Sequence, residues 1–215
     1  MLPVMPSCSA TPAPALAGLQ GDFELHLTIR LLNADEIAAF CHSCRQLSCK
    51  PLIIALPQGV YLTQPMASVR YSGRYDEAWA LAFQLQTQFT ERGFTLARIK
   101  IEVMPDSLSV PVLLTSEGGD APYFEWHGKV DYRNTDALLA ICRQHKAHLS
   151  QNSLKDEVHR RFISIRDASS ESHIHKRVAL LKQTLISGGW PLYKQQLELC
   201  LLDTTPSIDN GWLPQ

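Results

Sequence analysis

The stretch Phe-Glu-Leu-His-Leu-Thr-Ile at residues 23–29 returns 101 residues later as Phe-Glu-Trp-His-Gly-Lys-Val at residues 124–130. The same offset aligns Cys41 with Cys142. After a five-residue deletion in the second copy the offset becomes 96. At this offset Ser-Val-Arg at 68–70 aligns with Ser-Ile-Arg at 164–166, and Ile-Glu-Val at 101–103 aligns with Leu-Glu-Leu at 197–199. An ordered series of matches with a single gap indicates an internal duplication.

Both copies show the same succession of residue patterns. Alternating apolar residues predict strands, 3.6-residue periodicity predicts helices, and Gly93 is placed to end the second helix. The predicted elements of the first copy are strand 23–31, helix 34–47, strands 52–56 and 66–71, helix 76–92 and strand 98–103. Those of the second are strand 123–132, helix 135–147, strands 148–154 and 160–166, helix 172–187 and strand 192–202. The order β-α-β-β-α-β is ferredoxin-like. We therefore expect an α+β protein in which two such units form a bilobal fold with a central cleft.

This duplication divides the chain into five segments. We expect a flexible tail at 1–21, which holds four prolines and no charged residue, and ferredoxin-like repeats at 22–104 and 123–203. A proline- and glycine-bearing linker at 105–122 joins them, and 204–215 forms a C-terminal tail.

Composition limits the classes of partner. The 215 residues are 45% hydrophobic and 19% charged with a net charge of −1, so we expect a soluble domain without strong non-specific nucleic-acid binding. No apolar run approaches the roughly 18 residues of a membrane span, and we expect no membrane association. The six cysteines are unevenly spaced and no secretory signal is recognisable, so we expect a reduced, cytoplasmic protein.

Strand alternation separates the apolar and polar faces of each sheet. In the first strand Glu24 and His26 share the polar face, and Glu125 and His127 repeat this in the second copy. A half-exposed sheet can have a polar face simply because that face is in contact with water. A water-exposed face does not require one fixed pattern, however, and here Glu-x-His recurs at equivalent positions in both copies. Histidine titrates nearest neutral pH, so we expect His26 and His127 to carry proton transfer or metal binding in the cleft.

The strand His26-Leu27-Thr28-Ile29 resembles the His-x-Thr strand of the two-histidine phosphoesterases, the superfamily of RNA 2′,5′-ligase and cyclic phosphodiesterase enzymes. The resemblance implies a phosphodiester hydrolase or transferase without a cofactor, in which His26 and His127 act as general acid and base. It also implies that Thr28 contacts phosphate, with Lys129 in the position of the second threonine. We expect the remaining substrate-binding residues to be Arg70, Arg166, Glu24, Glu125 and Lys100.

Two alternatives remain open. The chain also resembles the vicinal-oxygen-chelate metalloenzymes, which implies a divalent metal on His26, Glu102, His127 and Glu198. That module has one helix where each repeat here predicts two. The third hypothesis is a non-catalytic protein that binds a small anion or nucleotide through its arginines and lysines. Each hypothesis expects a small-molecule or nucleotide partner.

Overall fold

The two repeats have the same order of elements. The computed structural model describes residues 16–30, 32–109, 122–131, 135–154 and 159–211. The first repeat comprises β1 (Gln20–Ile29), α1 (Ala34–Gln46), β2 (Lys50–Ala55), β3 (Thr63–Arg74), α2 (Tyr75–Glu91) and β4 (Leu96–Val103). The second comprises β5 (Tyr123–Asp131), α3 (Thr135–Gln144), β6 (His148–Asn152), β7 (Arg160–Asp167), α4 (Glu171–Ser187) and β8 (Leu192–Asp203). Short 3-10 turns cover Pro105–Ser107 and Pro206–Asp209. The α+β fold with a duplicated ferredoxin-like unit is confirmed.

The strands of both repeats join in one closed antiparallel barrel, in the order β1-β3-β2-β6-β7-β5-β8-β4. The repeats meet at two seams, where β4 pairs with β8 and β2 pairs with β6. Equivalent strands therefore lie side by side and antiparallel, as a pseudo-twofold axis between the repeats requires. The expected cleft between two sheets takes the form of the barrel interior.

The faces of the strands follow the sequence alternation. In β1 the side chains of Phe23, Leu25, Leu27 and Ile29 are at most 2% exposed and pack in the hydrophobic core with residues of the helices. Their neighbours Glu24 and His26 point the opposite way and line the barrel interior. The apolar layer therefore lies between sheet and helices, and the polar face surrounds an internal space.

Local sequence signals set several helix ends. Asn33 caps α1 by accepting a hydrogen bond from the backbone N–H of Glu36, and the Glu36 side chain accepts from the backbone N–H of Asn33. Gly93 and Gly189 follow α2 and α4 with φ values of 84° and 82°, a left-handed conformation that favours glycine.

Some predicted segments lie outside the described residues, namely positions 1–15 of the expected N-terminal tail, 110–121 of the expected linker and 212–215 of the expected C-terminal tail. Within the described ranges, the helices are all too short or too polar to cross a bilayer.

Candidate functional site

The barrel encloses a polar cavity of about 230 Å³. One wall is apolar, formed by Leu52, Ile54, Met66 and Phe162. The other wall carries charged and polar side chains, which include Glu24, His26, Arg98, Lys100, Glu102, Glu125, His127, Arg166, Gln196, Glu198 and Asp209. The cavity thus offers one surface for carbon atoms and another for charged groups.

His26 lies between two carboxylates of its own repeat. Its Nε2 is 3.1 Å from Oε2 of Glu102 and 3.9 Å from Oε1 of Glu24. Burial by itself lowers the pKa of His26, but the hydrogen bond to Glu102 and the charges of Glu102, Glu24 and Glu198 outweigh it and raise that pKa. The surroundings therefore favour the protonated ring.

His127 occupies the equivalent place in the second repeat. Its Nε2 is 3.3 Å from Glu198 and 3.5 Å from Glu125, and its Nδ1 is 2.7 Å from Oγ of Ser164. Burial lowers the pKa of His127, but the hydrogen bonds to Glu125 and Glu198 and their negative charges raise it to about 10. This ring is therefore an imidazolium at neutral pH.

Three buried cations are each held by two carboxylates. Lys100 Nζ lies 2.5 Å from both Glu102 and Glu125 and so links the two repeats. Burial raises the pKa of Glu102, but the charge of Lys100 and the hydrogen bond with His26 lower it to about 2. The other two contacts are those of Arg98 with Asp203 and Asp209, and of Arg166 with Glu125 and Asp209.

Sequence reasoning missed Arg98, Asp203, Asp209 and Tyr123 of this network. Asp209 is 2% exposed and lies on the 3-10 turn after β8, in the segment expected to be a tail. Tyr123 donates a hydrogen bond of 2.6 Å to Asp203, and the guanidinium of Arg166 stacks 4.2 Å from its ring centre. The available sequence signal was that Asp203 ends the strand that carries the predicted site residue Glu198. No comparable signal pointed to the other residues.

The structure brings most of the predicted site residues to the cavity, but Thr28 and Lys129 are absent from its described lining. Thr28 is 1% exposed, and its strand position pairs with Arg98 near one end of the barrel. Lys129 is 8% exposed, with Nζ 5.5 Å from the ring centre of Phe162. Neither side chain stands beside the histidines as the phosphate contacts of a His-x-Thr strand would.

The four residues of the chelate hypothesis all line the cavity. The ligand atoms of Glu102, His127 and Glu198 lie within 4.8 Å of one another. An ammonium group already lies against this set, because Lys100 Nζ contacts Glu102.

Comparison with solved structures shows similarity in fold. One neighbour is the chlorite dismutase of Candidatus Nitrospira defluvii in complex with imidazole, with 14% identity over 84% of this chain and 91% of that chain and a TM-score of 0.30. Another is a heme-binding protein of Thermus thermophilus, with 10% identity, coverage of 88% and 95%, and a TM-score of 0.30. No family model and no curated protein matches the chain.

These findings correct the expected family and functions. The resemblance to two-histidine phosphoesterases is wrong, because the neighbours are a chlorite dismutase and a heme-binding protein and no family model supports it. Phosphodiester hydrolysis or transfer is likewise wrong, and its phosphate contacts lie off the cavity. The chelate metalloenzyme is wrong, since each repeat has two helices rather than one. Small-anion or nucleotide binding is wrong too, because the buried cations Arg98, Lys100 and Arg166 are each held by two carboxylates.

The cofactor expectation, which was none or a divalent metal, is also wrong on this comparison, since one neighbour is described as heme-binding. A haem is a large planar group held by an axial protein ligand. The described lining does not fit it: the space is about 230 Å³, and the Nε2 atoms of His26 and His127 both face carboxylates.

Proposed function

We propose that the protein binds a small polar molecule inside its barrel, and that His26 and His127 donate protons or hydrogen bonds to it. The observation that carries this proposal is that two equivalent histidine–carboxylate units, one from each repeat, line the same cavity. Titratable groups with perturbed pKa values gathered in a cavity are typical of functional sites.

The carboxylates beside the two histidines determine the direction of proton transfer that we propose, which is from the histidine to the bound molecule. Glu102 and Glu198 favour the charged ring of the histidine that each contacts, since both histidine pKa values are raised. The surroundings therefore favour the proton-donating form of both rings, whereas the sequence-based hypothesis assigned one acid and one base. The carboxylates behind them would accept hydrogen bonds from the same bound molecule.

The apolar wall supports a ligand that also has a carbon portion. Leu52, Ile54 and Phe162 lie across the interior from the charged wall and are only partly buried. Small-molecule sites commonly combine such a surface with a few convergent polar groups. The size of the cavity suits a small metabolite.

This proposal predicts binding that depends on both histidines. A thermal-shift screen of the full chain against small amines, alcohols and amides should find compounds that raise the melting temperature, and calorimetry should give their Kd. We expect His26→Gln and His127→Gln each to weaken binding about tenfold or more, because each removes a charged donor. His42→Gln, an exposed site on α1, is the matched control and should bind like the unaltered protein.

Equal affinity in all of these variants would contradict the proposal. So would a ligand that, in a structure of the complex, lies outside the barrel. The variants must first show cooperative unfolding, so that loss of binding is not loss of fold.

We also infer a cytoplasmic location. Among the described residues Cys41, Cys44, Cys49, Cys142 and Cys200 are free thiols, which supports a reducing compartment.

A further inference from the structure

The charged contacts around the two histidines are repeated almost residue for residue. Glu24, His26, Arg70, Lys100 and Glu102 of the first repeat align with Glu125, His127, Arg166, Gln196 and Glu198 of the second. His26 contacts Glu102 at 3.1 Å, and His127 contacts Glu198 at 3.3 Å. Arg70 contacts Glu24 at 3.3 Å, and Arg166 contacts Glu125 at 2.6 Å.

One position breaks this symmetry. Lys100 of the first repeat inserts a buried ammonium between Glu102 and Glu125, at 2.5 Å from each. The pseudo-twofold equivalents of those carboxylates are Glu198 and Glu24, and the equivalent of Lys100 is Gln196. The Gln196 side chain donates a hydrogen bond of 2.7 Å to Glu198 but brings no charge.

Space is available at this second position. A cavity of about 250 Å³ adjoins the central one, and its walls include Glu24, Gln196 and Glu198. Met104, which is 40% exposed, provides apolar surface in the same walls. Glu24, Glu198 and Gln196 also line the central cavity, so the two spaces share these walls.

Buried polar atoms on the central cavity wall independently indicate a bound molecule. Gln64 is 4% exposed, yet its amide nitrogen has no hydrogen-bond partner among the described residues. Nδ1 of His26 is likewise buried without a described partner. A buried donor without an acceptor costs about 1–3 kcal/mol, a cost that an acceptor atom elsewhere on the bound molecule would remove.

We propose that the molecule bound in the barrel carries an ammonium group, and that this group sits between Glu24 and Glu198, in the place equivalent to that of the Lys100 ammonium. The inference rests on the proposed function and names the chemical class of its ligand, a primary amine. Glu24 and Glu198 pair with the positive charge, the Gln196 side chain lies beside it, and the carbon chain packs against Met104.

Arg70 does not fill this place. Its side chain is 71% exposed and contacts Glu24 through Nε. Its equivalent Arg166 contacts Glu125 in the same manner, and yet Glu125 also contacts the Lys100 ammonium. The arginine and the ammonium are therefore two separate partners of one carboxylate.

The test uses three molecules of similar shape and different charge: n-butylammonium, butan-1-ol and butyrate. Calorimetry on the full chain should show binding of butylammonium and about tenfold weaker or absent binding of the other two. Gln196→Lys supplies the missing ammonium from the protein itself and should abolish butylammonium binding while leaving the fold intact. Gln195→Lys adds the same charge at the exposed neighbouring position and should leave binding unchanged.

The outcomes separate the two proposals. Histidine-dependent binding of butanol or butyrate in preference to the amine overturns the ammonium inference and leaves the proposed function standing. Amine binding that survives Gln196→Lys and Glu198→Gln also overturns the inference, because the amine then sits elsewhere. If none of the three probes binds and the broader screen is also empty, both proposals fall.

Discussion

At the scale of single residues, the charge of an imidazole depends on what surrounds each of its nitrogens. His148 and His127 both lie on the barrel strands, yet their pKa values move in opposite directions. Burial together with the nearby charges of Arg166 and Arg177 lowers the pKa of His148 to about 4. The carboxylates beside His127 reverse the effect of burial and raise its pKa to about 10. Burial lowers the pKa of both rings, so the difference between them comes from the opposite sign of their neighbouring charges.

The raised pKa of His127 predicts a pH-dependent contribution to stability. A group whose pKa is higher in the folded protein stabilises it fully below the unfolded pKa of about 6.5, and this contribution is lost as pH rises through about 10. Urea unfolding of the unaltered protein and of His127→Gln should therefore show a difference in unfolding free energy that shrinks by about 4 kcal/mol between pH 6.5 and pH 10, because raising the pKa from 6.5 to about 10 is worth about 1.4 kcal/mol per pKa unit.

NMR titration of the His127 ring gives a direct check, with a midpoint expected near pH 10 because the neighbouring carboxylates favour the charged ring. A free-energy difference that stays constant across this range, together with a midpoint near the ordinary value of about 6.5, would contradict the assigned contacts.

At the scale of elements, α4 is anchored to the end of β7 by one buried carboxylate. Asp167 is 5% exposed and accepts hydrogen bonds from His173 Nδ1 at 2.7 Å and from Arg177 Nη1 at 2.8 Å. Its other oxygen accepts from the backbone N–H of Ser169 at 2.9 Å, in the turn before the helix. These contacts fix the start of α4 independently of its apolar face.

Removing the charge at this anchor should destabilise the fold. We expect Asp167→Asn to lower the free energy of unfolding by about 1–3 kcal/mol at pH 7, because Arg177 then lacks its charged partner. Glu171→Gln is the control, since Glu171 pairs with His175 on the exposed side of the same helix and should cost less than about 0.5 kcal/mol. Equal losses in urea unfolding would show that Asp167 has no special role.

At the scale of the whole molecule, the barrel has one short seam. β2 and β6 pair through Ile54 with Asn152 and through Ala55 with Gln151, whereas β1 and β3 pair along nine positions. The Asn152 side chain extends this seam by accepting hydrogen bonds from the backbone N–H groups of Ile53 and Leu154. Opening of the barrel should therefore begin here.

This seam can be tested by hydrogen exchange. Asn152→Ala leaves two N–H groups without acceptors, so we expect faster amide exchange in β2 and β6 and a loss of about 1–3 kcal/mol in unfolding free energy. Gln151→Ala, at the adjacent half-buried position, should change exchange much less. Uniform acceleration across all eight strands would instead indicate global destabilisation.

The sequence predicted those features that repeat or alternate locally. The offsets of 101 and 96 residues located both repeats, and alternation placed Glu24, His26, Glu125 and His127 on the inner face. Closure of the barrel was not predictable, because in the described residues the β2–β6 seam consists of two residue pairs and the hydrogen bond from Ser153 N–H to the Ile53 carbonyl, all between distant segments. Asp209 was missed because its turn is positioned by Arg98 and Arg166, which no local pattern reveals.

The two seams have a consequence for the origin of this chain. Each repeat ends in the same pair of edges, β2 and β4 in one and β6 and β8 in the other, and the edges join like to like. Two identical copies of one repeat have all the edge strands needed to close such a barrel. The two repeats of this chain are therefore arranged as the two subunits of a symmetric homodimer would be. Because both repeats belong to one chain, their residues at equivalent positions need not be the same. Lys100 and Gln196 show the result, since a homodimer could carry two lysines or two glutamines there but never one of each.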